Sequence, residues 1–458
     1  MTIPDACRQA VVVVGLGHGD EAKGATVDHL AATLPDTVAV VRWSGGAQAA
    51  HTVRHGPRHH TFRQFGSGTL LDVRTVLAAP MTVDPAQLAA EAEELAALGV
   101  RDPFGLLLAD PRCLVTTPLH VAMNRAREDA RGGARHGSTG LGVGETVAYD
   151  LAVRAGVRRG EPVGDLPAPA DAPDVPAPTL GTLRDRRATV AALDALARYA
   201  DPLLAADHDL HDAALYDDGL AAVLAGGVDR MADALCATAR ELTLVDDVHS
   251  TLDDALGVGS VVFEGSQGML LDEWHGWHPH TTWSTVSPRG LVAGLEAAGH
   301  RPYVLGVTRT YATRHGAGPF PTEDPALDLP EPDNREGRYQ GAWRTGHLDL
   351  PSLRYASRVA GRVDGVGVSH LDVLGTAPLA VADSWDGDRE PLRYQAGEDT
   401  AAAARLTARA AVAVPDTVPV PADPETLLAL VEGAVGAPVV LTADGPGRRD
   451  RQRRGAPA

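Results

Sequence analysis

The first 34 residues contain a pattern that predicts a strand, a glycine-rich loop and a helix. A run of four valines at 11–14 predicts a buried strand, and the loop GLGHGDEAKG follows at 15–24. A helix is predicted over 25–34. In α/β proteins this order places free backbone amides and the positive end of a helix at a bound phosphate. A tight structural turn remains the alternative, because the loop matches neither GxxxxGK[ST] nor GxGxxG.

Further short hydrophobic runs, each followed by a polar loop, extend this pattern along the chain. They lie at 38–41, 261–263, 363–368 and 438–441. Aromatic residues make up only 4% of the chain, so the core depends on Ala, Val and Leu, a mixture that suits helices packed on a largely parallel sheet. We therefore predict an α/β fold with one central, mostly parallel sheet flanked by helices and ligands at the carboxyl ends of its strands.

Composition and charge limit the partners. The formal net charge of −19 disfavours nucleic acid and membrane surfaces, which are themselves negative. The three cysteines, Cys7, Cys113 and Cys236, show no metal-ligand spacing and are too few for a disulfide framework. Residues 1–10 lack the apolar core of a signal sequence and no run reaches membrane-spanning length, so we expect neither a signal sequence nor a membrane span. We expect a cytoplasmic protein with small-molecule partners, a surface insertion at 165–178 and a solvated, disordered basic tail at 448–458.

Three residues of the loops carry candidate chemistry. Lys23 is the only lysine among 41 basic residues, which indicates that its position needs a compact ammonium group rather than a guanidinium. Asp20 would be repelled by phosphate unless it binds Mg²⁺ or acts as a base, although capping of the next helix is an alternative. His51 follows a second small-residue loop and could donate to a phosphoryl oxygen, or it could be structural.

Seven segments, in chain order, resemble those of adenylosuccinate synthetase. They are GDEAKG at 19–24, GGAQAAHT at 45–52, STGLGVG at 138–144, FEGSQG at 263–268, TRHGAGPFPTE at 313–323, HLDVLG at 370–375 and GP at 445–446. They span nearly the whole chain. The resemblance implies a single domain over residues 1–458 with a P-loop-NTPase-like fold.

The resemblance also implies a GTP- and Mg²⁺-dependent ligase. A base removes the N1 proton of a 6-oxopurine nucleotide, IMP or a close analogue, while O6 attacks the γ-phosphate of GTP. An amine, aspartate in the family, then displaces the phosphate. By position, Asp20 is the base and joins the main-chain oxygen of Ala50 in the metal site, while His51 donates to the transferring group. Lys23 offsets the charge there, and Gln267 completes the catalytic set.

The remaining site residues are assigned by the same resemblance. GTP would be held by Gly19, Glu21, Ala22, Gly24, Thr52, His370, Leu371, Asp372, Ala443, Asp444 and Gly445. The purine monophosphate would be held by Gln48, Ala49, Ser138, Thr139, Arg154 and Thr282. Asp372 can accept hydrogens from guanine N1 and N2, which favours GTP over ATP. Arg154 matches a residue that reaches the neighbouring subunit, which implies a homodimer.

The chain departs from the family pattern in several places. Ala22, Ala25 and Ala50 replace a glycine, a lysine and a glycine, Gln48 replaces an asparagine, and Asp444 stands where threonine is usual. The largest departure lies in the loop that holds aspartate in the family.

That loop reads GRYQGAWRTGHLD at 337–349 here. Both family threonines are missing, and the aligned arginines become Gly341 and Trp343, which leaves Arg338 and Arg344 as the candidate amino-donor arginines. Losing a bidentate arginine changes dicarboxylate recognition. We therefore hypothesise that the nucleotide or the amine differs from IMP and aspartate.

Two other functions compete with the ligase, and three other segments have plain structural interpretations. A non-catalytic nucleotide-binding paralogue is disfavoured because the catalytic set persists, and a nicotinamide dehydrogenase is disfavoured by the glycine spacing. We expect the histidine-rich segment 274–280 to be structural rather than metal-binding. Residues 55–60 are predicted to form a solvated hairpin, and residues 324–338 an exposed loop.

Overall fold

The computed structural model describes residues 9–155, 175–206, 219–329, 331, 333–334, 336–420 and 423–455. The helices are α1 Lys23–Thr33, α2 Pro85–Ala97, α3 Pro118–Arg131, α4 Val143–Ala155, α5 Arg186–Ala206, α6 Leu220–Ala225, α7 Gly227–Glu241, α8 Val248–Val258, α9 Arg289–Ala297, α10 Leu350–Ala360, α11 Thr400–Ala411 and α12 Pro424–Val435. The strands are β1 Ala10–Gly15, β2 Thr37–Arg42, β3 His51–His55, β4 Arg58–Phe62, β5 Arg74–Leu77, β6 Thr82–Val83, β7 Leu107–Ala109, β8 Leu114–Val115, β9 Thr243–Leu244, β10 Ser260–Gly268, β11 Tyr303–Arg309, β12 Ala312–His315, β13 Trp343–Gly346, β14 Leu348–Asp349, β15 Gly365–Ser369, β16 Ala380–Trp385, β17 Pro415–Pro419, β18 Val439–Ala443 and β19 Arg451–Arg453.

Ten strands form the central sheet, in the order β19-β18-β15-β11-β1-β10-β2-β5-β7-β9. Every neighbouring pair is parallel except β18 and β19, which run antiparallel. Strand β1 lies between β10 and β11, so the loop that follows β1 emerges near the middle of the sheet edge. The predicted α/β fold with a mostly parallel central sheet is confirmed.

The valine run explains why β1 is central. Val11 and Val13 pack with Val27 and Leu30 of helix α1 on one face of the sheet, whereas Val12 and Val14 pack into a separate cluster on the other face. All six residues of β1 are buried. A strand covered on both faces can be apolar at every position instead of alternating apolar and polar residues. The uninterrupted valine run of β1 shows this continuous apolar pattern.

The predicted elements fall close to their observed places. Helix α1 begins at Lys23, two residues before its predicted start, and helix α2 begins after Asp84, whose carboxylate accepts hydrogen bonds from Ala86 N and Gln87 N as an N-cap. The four further hydrophobic runs correspond to strands β2, β10, β15 and β18.

The prediction of a solvated, disordered basic tail is wrong for residues 448–453. Arg448 donates to both carboxylate oxygens of the buried Asp28 at 2.7 and 2.6 Å. Strand β19 pairs with the outer edge of β18, and Arg451 is buried. An uncovered strand edge and a buried carboxylate both need partners, and the tail supplies them. Residues 456–458 lie outside the described part of the chain.

Two smaller expectations also need correction. The hairpin β3–β4 forms as predicted, but His60 is buried rather than solvated. The segment 324–338 lies partly on the surface, yet Leu327 and Leu329 are buried because they pack with Tyr311 in a small hydrophobic cluster.

The surface insertion at 165–178 and the single domain over residues 1–458 stay predictions. Most of the insertion, residues 165–174, falls outside the described residues. Within the described ranges, no helix is both long and apolar enough to cross a bilayer.

Candidate active site

The loop between β1 and α1 is held together by its own side chains. Gly19 N donates to Glu21 Oε1 at 2.7 Å, and Lys23 Nζ donates to Gly19 O at 2.7 Å and to Glu21 Oε2 at 3.2 Å. The Lys23 side chain is only 1% exposed. Ala22 precedes the helix in the left-handed conformation, with φ of 61°. The loop is therefore a tight turn whose backbone is fixed from within.

Asp20 projects from this loop into an ion pair rather than onto the helix. Arg309 Nη2 donates to Asp20 Oδ2 at 2.7 Å, and Asn334 Nδ2 donates to the same oxygen at 3.0 Å. The residue that precedes α1 is Ala22, with no capping side chain, so the helix-capping alternative for Asp20 is not realised. Burial alone would raise the pKa of the Asp20 carboxyl, but nearby cations, Arg309 foremost, hold the pKa below its usual value.

His51 belongs to a buried charge pair at the start of β3. Its Nδ1 donates to Glu264 Oε1 at 2.6 Å, and its Nε2 lies 3.2 Å from the carbonyl oxygen of Ser266. Both ring nitrogens thus face acceptors, and the Glu264 carboxylate raises the pKa of His51. Burial lowers that pKa by more, so the pKa of His51 stays below its usual value. Burial would raise the pKa of Glu264, but His51 and Arg42 bring it down to about 2, so this carboxylate is ionised.

Two glycines allow the loops to approach one another. A Cβ atom on Gly24 would lie 2.5 Å from Cβ of His51, so the start of α1 packs directly on the histidine backbone. A Cβ atom on Gly268 would lie 2.1 Å from the carbonyl oxygen of Gly17. Only glycine at these two positions lets β10 and β3 meet the first loop this closely.

A cavity of about 970 Å³ brings together ten of the predicted site residues. Its lining includes the sequence-predicted residues Gly19, Asp20, Gln48, Ala49, Ala50, His51, Ser138, Thr139, Gln267 and Thr282. The side-chain amides of Gln48 and Gln267 are buried, and neither the oxygen nor the nitrogen of either amide has a hydrogen-bond partner. Buried polar atoms seldom lack partners, which indicates that these amides serve a ligand.

Several lining and supporting residues were missed from the sequence. Asn124, Arg127 and Arg131 lie on one face of α3, and Asn124 Nδ2 donates to Ser138 Oγ at 2.9 Å. Arg127 pairs with Glu145 at 2.8 Å. Arg309, Asn334 and Glu331 were missed as well. The one available signal was a charged residue at the carboxyl end of a buried strand, which applies to Arg309 at the end of β11.

Other predicted residues lie apart from this cavity. Two groups of the predicted GTP residues lie at the sheet edge where β1 and β10 also end: His370, Leu371 and Asp372 directly after β15, and Ala443, Asp444 and Gly445 at the end of the neighbouring β18. Asp372 is exposed there, within a single 3₁₀ turn, and Asp444 N donates to the carbonyl oxygen of Asp450 at 3.1 Å. Thr52 Oγ1 lies 3.1 Å from Thr61 Oγ1 in the β3–β4 hairpin.

The three predicted arginines have different surroundings. Arg154 is 72% exposed, pairs with Asp150 at 2.8 Å and lines a separate cavity with Trp283. Arg338 lines a cleft next to the main cavity, and its guanidinium lies 5.6 Å from the ring centre of Tyr339. Arg344 pairs with Glu323 at 2.5 Å and lines neither space.

The residues present fit a Mg²⁺ ion bound mainly through phosphate and water. The ionised carboxylate of Asp20 and residue Ala50 line the same cavity. No trio of His, Cys, Asp or Glu in the described part of the chain forms an all-protein metal cage. Mg²⁺ at nucleotide sites commonly uses one or two carboxylates and takes its remaining ligands from phosphates and water.

The histidine-rich segment 274–280 contains the fully buried Trp277, which donates to His18 Nε2 at 2.9 Å. This tryptophan packs in the interior and has a structural role.

The fold and the cavity define an α/β protein whose glycine-rich loop and ligand-sized cavity lie at the carboxyl ends of the strands of a parallel sheet. The family model for adenylosuccinate synthetase matches residues 12–451. The adenylosuccinate synthetase of Neisseria gonorrhoeae strain NCCP11945 is 30% identical over 466 residues, covering 97% of this chain and 98% of the relative. That of Sorangium cellulosum strain So ce56 is 32% identical over 461 residues, covering 96% and 97%. The chain belongs to the adenylosuccinate synthetase family, whose members are ligases that form a C–N bond.

Two solved structures share the fold. The fully ligated adenylosuccinate synthetase of Plasmodium falciparum superposes with a TM-score of 0.70 at 19% identity, covering 98% of this chain and all of that one. The succinoaminodeoxyadenylate synthetase of cyanophage S-2L, bound to dGMP and dATP, gives a TM-score of 0.58 at 18% identity, covering 97% and 95%. The family resemblance seen in the sequence is confirmed.

Proposed function

We propose that this ligase uses GTP and Mg²⁺ to phosphorylate O6 of a 6-oxopurine nucleotide, IMP or a close analogue, and then replaces the phosphate with an amine. One observation carries the proposal. The ionised Asp20, the His51–Glu264 pair and the unpartnered Gln267 amide border a single cavity next to the phosphate loop.

Each side chain has a role that its surroundings support. Asp20 takes the N1 proton of the purine, and the O6 atom, which becomes more nucleophilic, attacks the γ-phosphorus as GDP leaves. His51 donates from Nε2 to an oxygen of the transferring phosphoryl group, while Glu264 balances its charge. In the second step the amine nitrogen bonds to C6, and phosphate departs with the electrons of the C6–O bond.

Lys23 and the metal site neutralise the phosphates. Two acceptors, Gly19 O and a Glu21 oxygen, engage the Lys23 ammonium, which leaves its third N–H for a phosphate oxygen. Mg²⁺, held by Asp20 and the carbonyl of Ala50, would supply further positive charge for phosphoryl transfer. The Gln48 amide serves the purine nucleotide.

The finer assignments belong to the same proposal. Asp372 reads guanine through its exposed carboxylate, and Arg154 reaches the site of a second subunit in a homodimer. The enzyme works in the cytoplasm on small-molecule substrates. ATP is the alternative phosphoryl donor, because the cyanophage S-2L enzyme, which has the same fold, was solved with dATP as its energy donor.

An Asp20→Asn variant tests the assignment. We expect the rate of phosphate release from GTP with IMP and an amine to fall at least about 1,000-fold, because the amide neither removes a proton nor carries charge to a metal. Chelation of Mg²⁺ should abolish release by the unmodified enzyme. The matched control is Asp36→Asn, an exposed aspartate outside the cavity, which should keep full activity. If the Asp20→Asn enzyme turns over at the normal rate, the proposal is refuted.

A further inference from the structure

The position of Arg309 follows from the register of the central sheet. Gly15, the last residue of β1, pairs with Val307 of β11, so Arg309 extends two residues past the end of β1 and lies beside the glycine-rich loop. Arg309 also pairs with Ser369 of β15, the other neighbour of β11. A residue whose backbone belongs to a sheet places its side chain more precisely than a loop residue does.

Arg309 holds Asp20 through two different oxygen atoms. Its Nε donates to the main-chain carbonyl oxygen of Asp20, and its Nη2 donates to Asp20 Oδ2 at 2.7 Å. The guanidinium is planar and its nitrogens have fixed directions, so two contacts to one residue fix the orientation of the carboxyl group as well as its place. An ammonium is a point charge and has no such fork.

The carboxylate of Asp20 is held at one oxygen only. Asn334 Nδ2 donates to Oδ2 at 3.0 Å, so this oxygen accepts from both Asn334 and Arg309. Among the described residues, no donor lies within hydrogen-bond distance of Oδ1. The Asp20 side chain lines the cavity and is 31% exposed. Its carboxylate therefore keeps one oxygen for the reacting molecules.

The other end of the guanidinium is held as firmly. Arg309 Nη1 donates to the Tyr311 hydroxyl at 2.8 Å and to the Glu331 carboxylate, and the Tyr311 hydroxyl donates to the same carboxylate. The central carbon of the guanidinium lies 5.2 Å from the ring centre of Tyr311 and 5.7 Å from that of Trp343. Arg309 is buried among these groups, so it has little freedom to turn away from Asp20.

We propose that Arg309 is a positioning residue for Asp20, the base of the proposed function on which this inference rests: the guanidinium fixes Oδ2 and presents Oδ1 to the nucleotide. Tyr311 and Glu331 act one contact further out, because they fix Nη1 of Arg309. Misplacement of a reacting group by about 1 Å can slow a reaction about 100-fold. Arg309 therefore controls the rate of proton removal and not the affinity for either nucleotide.

An Arg309→Lys variant tests this role. The lysine keeps the positive charge, but its ammonium cannot reach both the carbonyl oxygen and Oδ2 of Asp20. We expect kcat for phosphate release with GTP, Mg²⁺, IMP and aspartate to fall about 100-fold. KM for IMP and for GTP should stay within about threefold of the parent values, because the lost interaction acts on the reacting geometry and not on binding.

Arg354→Lys is the matched control, because Arg354 holds Asp383 in the same way. Its Nη1 donates to the carbonyl oxygen of Asp383 at 2.8 Å and its Nη2 donates to the carboxylate, outside the cavity. We expect this variant to keep kcat within about twofold of the parent value. Thermal melting of both variants reports folding. Equal kcat values for the two variants overturn the inference, and so does faster turnover by Arg309→Lys, which would mean that Arg309 blocks Asp20.

Tyr311→Phe is a milder test that leaves the charges in place. It removes the hydroxyl that contacts both Arg309 and Glu331 but keeps the aromatic ring beside the guanidinium. We expect kcat to fall about 3- to 10-fold, the effect of one hydrogen bond, with KM for both nucleotides unchanged. A kcat equal to that of the parent, or a loss that appears only in KM, counts against the inference.

A separate measurement distinguishes this inference from the proposed function. Scrambling of ¹⁸O between the β,γ-bridge of GTP and the non-bridging positions of the β-phosphate, with IMP and without amine, reports O6 phosphorylation alone. We expect Arg309→Lys to slow this scrambling by the same factor as kcat. Scrambling at the parent rate in Arg309→Lys refutes only the role of Arg309. No scrambling by the unmodified enzyme with any 6-oxopurine nucleotide refutes the proposed function and the inference together.

Discussion

Replacing Glu264 with glutamine tests whether a buried carboxylate makes His51 a proton donor. The two side chains meet at 2.6 Å, and both are almost fully buried. Two unit charges about 4 Å apart attract by roughly 4 kcal/mol at an effective dielectric constant near 20. The Glu264 carboxylate therefore raises the pKa of His51 against the effect of burial, and the neutral amide keeps a hydrogen bond but not the charge, so we expect the pKa of His51 to fall further in Glu264→Gln.

The loss of the Glu264 charge should change the pH dependence of kcat in one direction only. Proton donation needs protonated His51, so kcat falls as the pH rises through the pKa of His51. In Glu264→Gln this descending limb should move to lower pH, and kcat near pH 7 should drop about 100-fold, which is the order of magnitude that a general acid contributes. The assay is phosphate release at saturating substrates across pH 5–9, with thermal melting as a check on folding.

Ser67→Ala is the matched control for this experiment. Ser67 Oγ donates to Glu264 Oε1 at 2.5 Å, so the change removes one hydrogen bond but leaves the carboxylate charge in place. We expect about 1–3 kcal/mol of lost stability and little movement of the pH limb. If Glu264→Gln keeps kcat within threefold of the parent enzyme and its pH limb stays in place, the assignment of His51 as a charged donor is refuted.

Two further changes probe the loop and the guanine site. Ala22→Gly should stabilise the fold by about 0.5–1 kcal/mol, because φ of 61° strains a residue with a Cβ atom. Ala25→Gly, inside helix α1, should instead cost about 1 kcal/mol, and equal urea midpoints for the two variants would contradict the strain argument. Asp372→Asn should raise KM for GTP about 10- to 100-fold, through the loss of charge-assisted bonds to guanine, and should leave KM for ATP unchanged. Parallel changes for both nucleotides would remove Asp372 from the base-reading role.

The fold was predictable because its main signals are local. The valine run of β1 is buried on both faces, so burial alone selects its residue types. The start of α2 is equally local, since Asp84 and Pro85 supply the cap and the first helical turn from adjacent positions. The tail at 448–453 could not be predicted in this way, because its partner Asp28 lies 420 residues away from Arg448.

The site was predictable only in part, for the same reason. The glycine loop and His51 lie within short recognisable segments. The partners that set the charge of Asp20 do not, since Arg309 and Asn334 are 289 and 314 residues distant in sequence. No local sequence pattern predicts an ion pair between residues so far apart in the chain. The family resemblance marked the loop at 337–349 as unusual, but only the packing of Glu331 on Arg309 shows how the charge in that region is balanced.

The surroundings of Lys23 explain why the only lysine of the sequence lies in the glycine-rich loop. Lys23 is buried in a loop where two oxygens, from Gly19 and Glu21, lie within 3.2 Å of its nitrogen. A guanidinium is planar, carries five donors and needs more space than this turn provides, so arginine would leave donors buried without partners. An ammonium satisfies both oxygens and, in the proposed function, keeps its third N–H for a phosphate. The smaller cation therefore suits this position, the one place in the sequence where lysine and not arginine occurs.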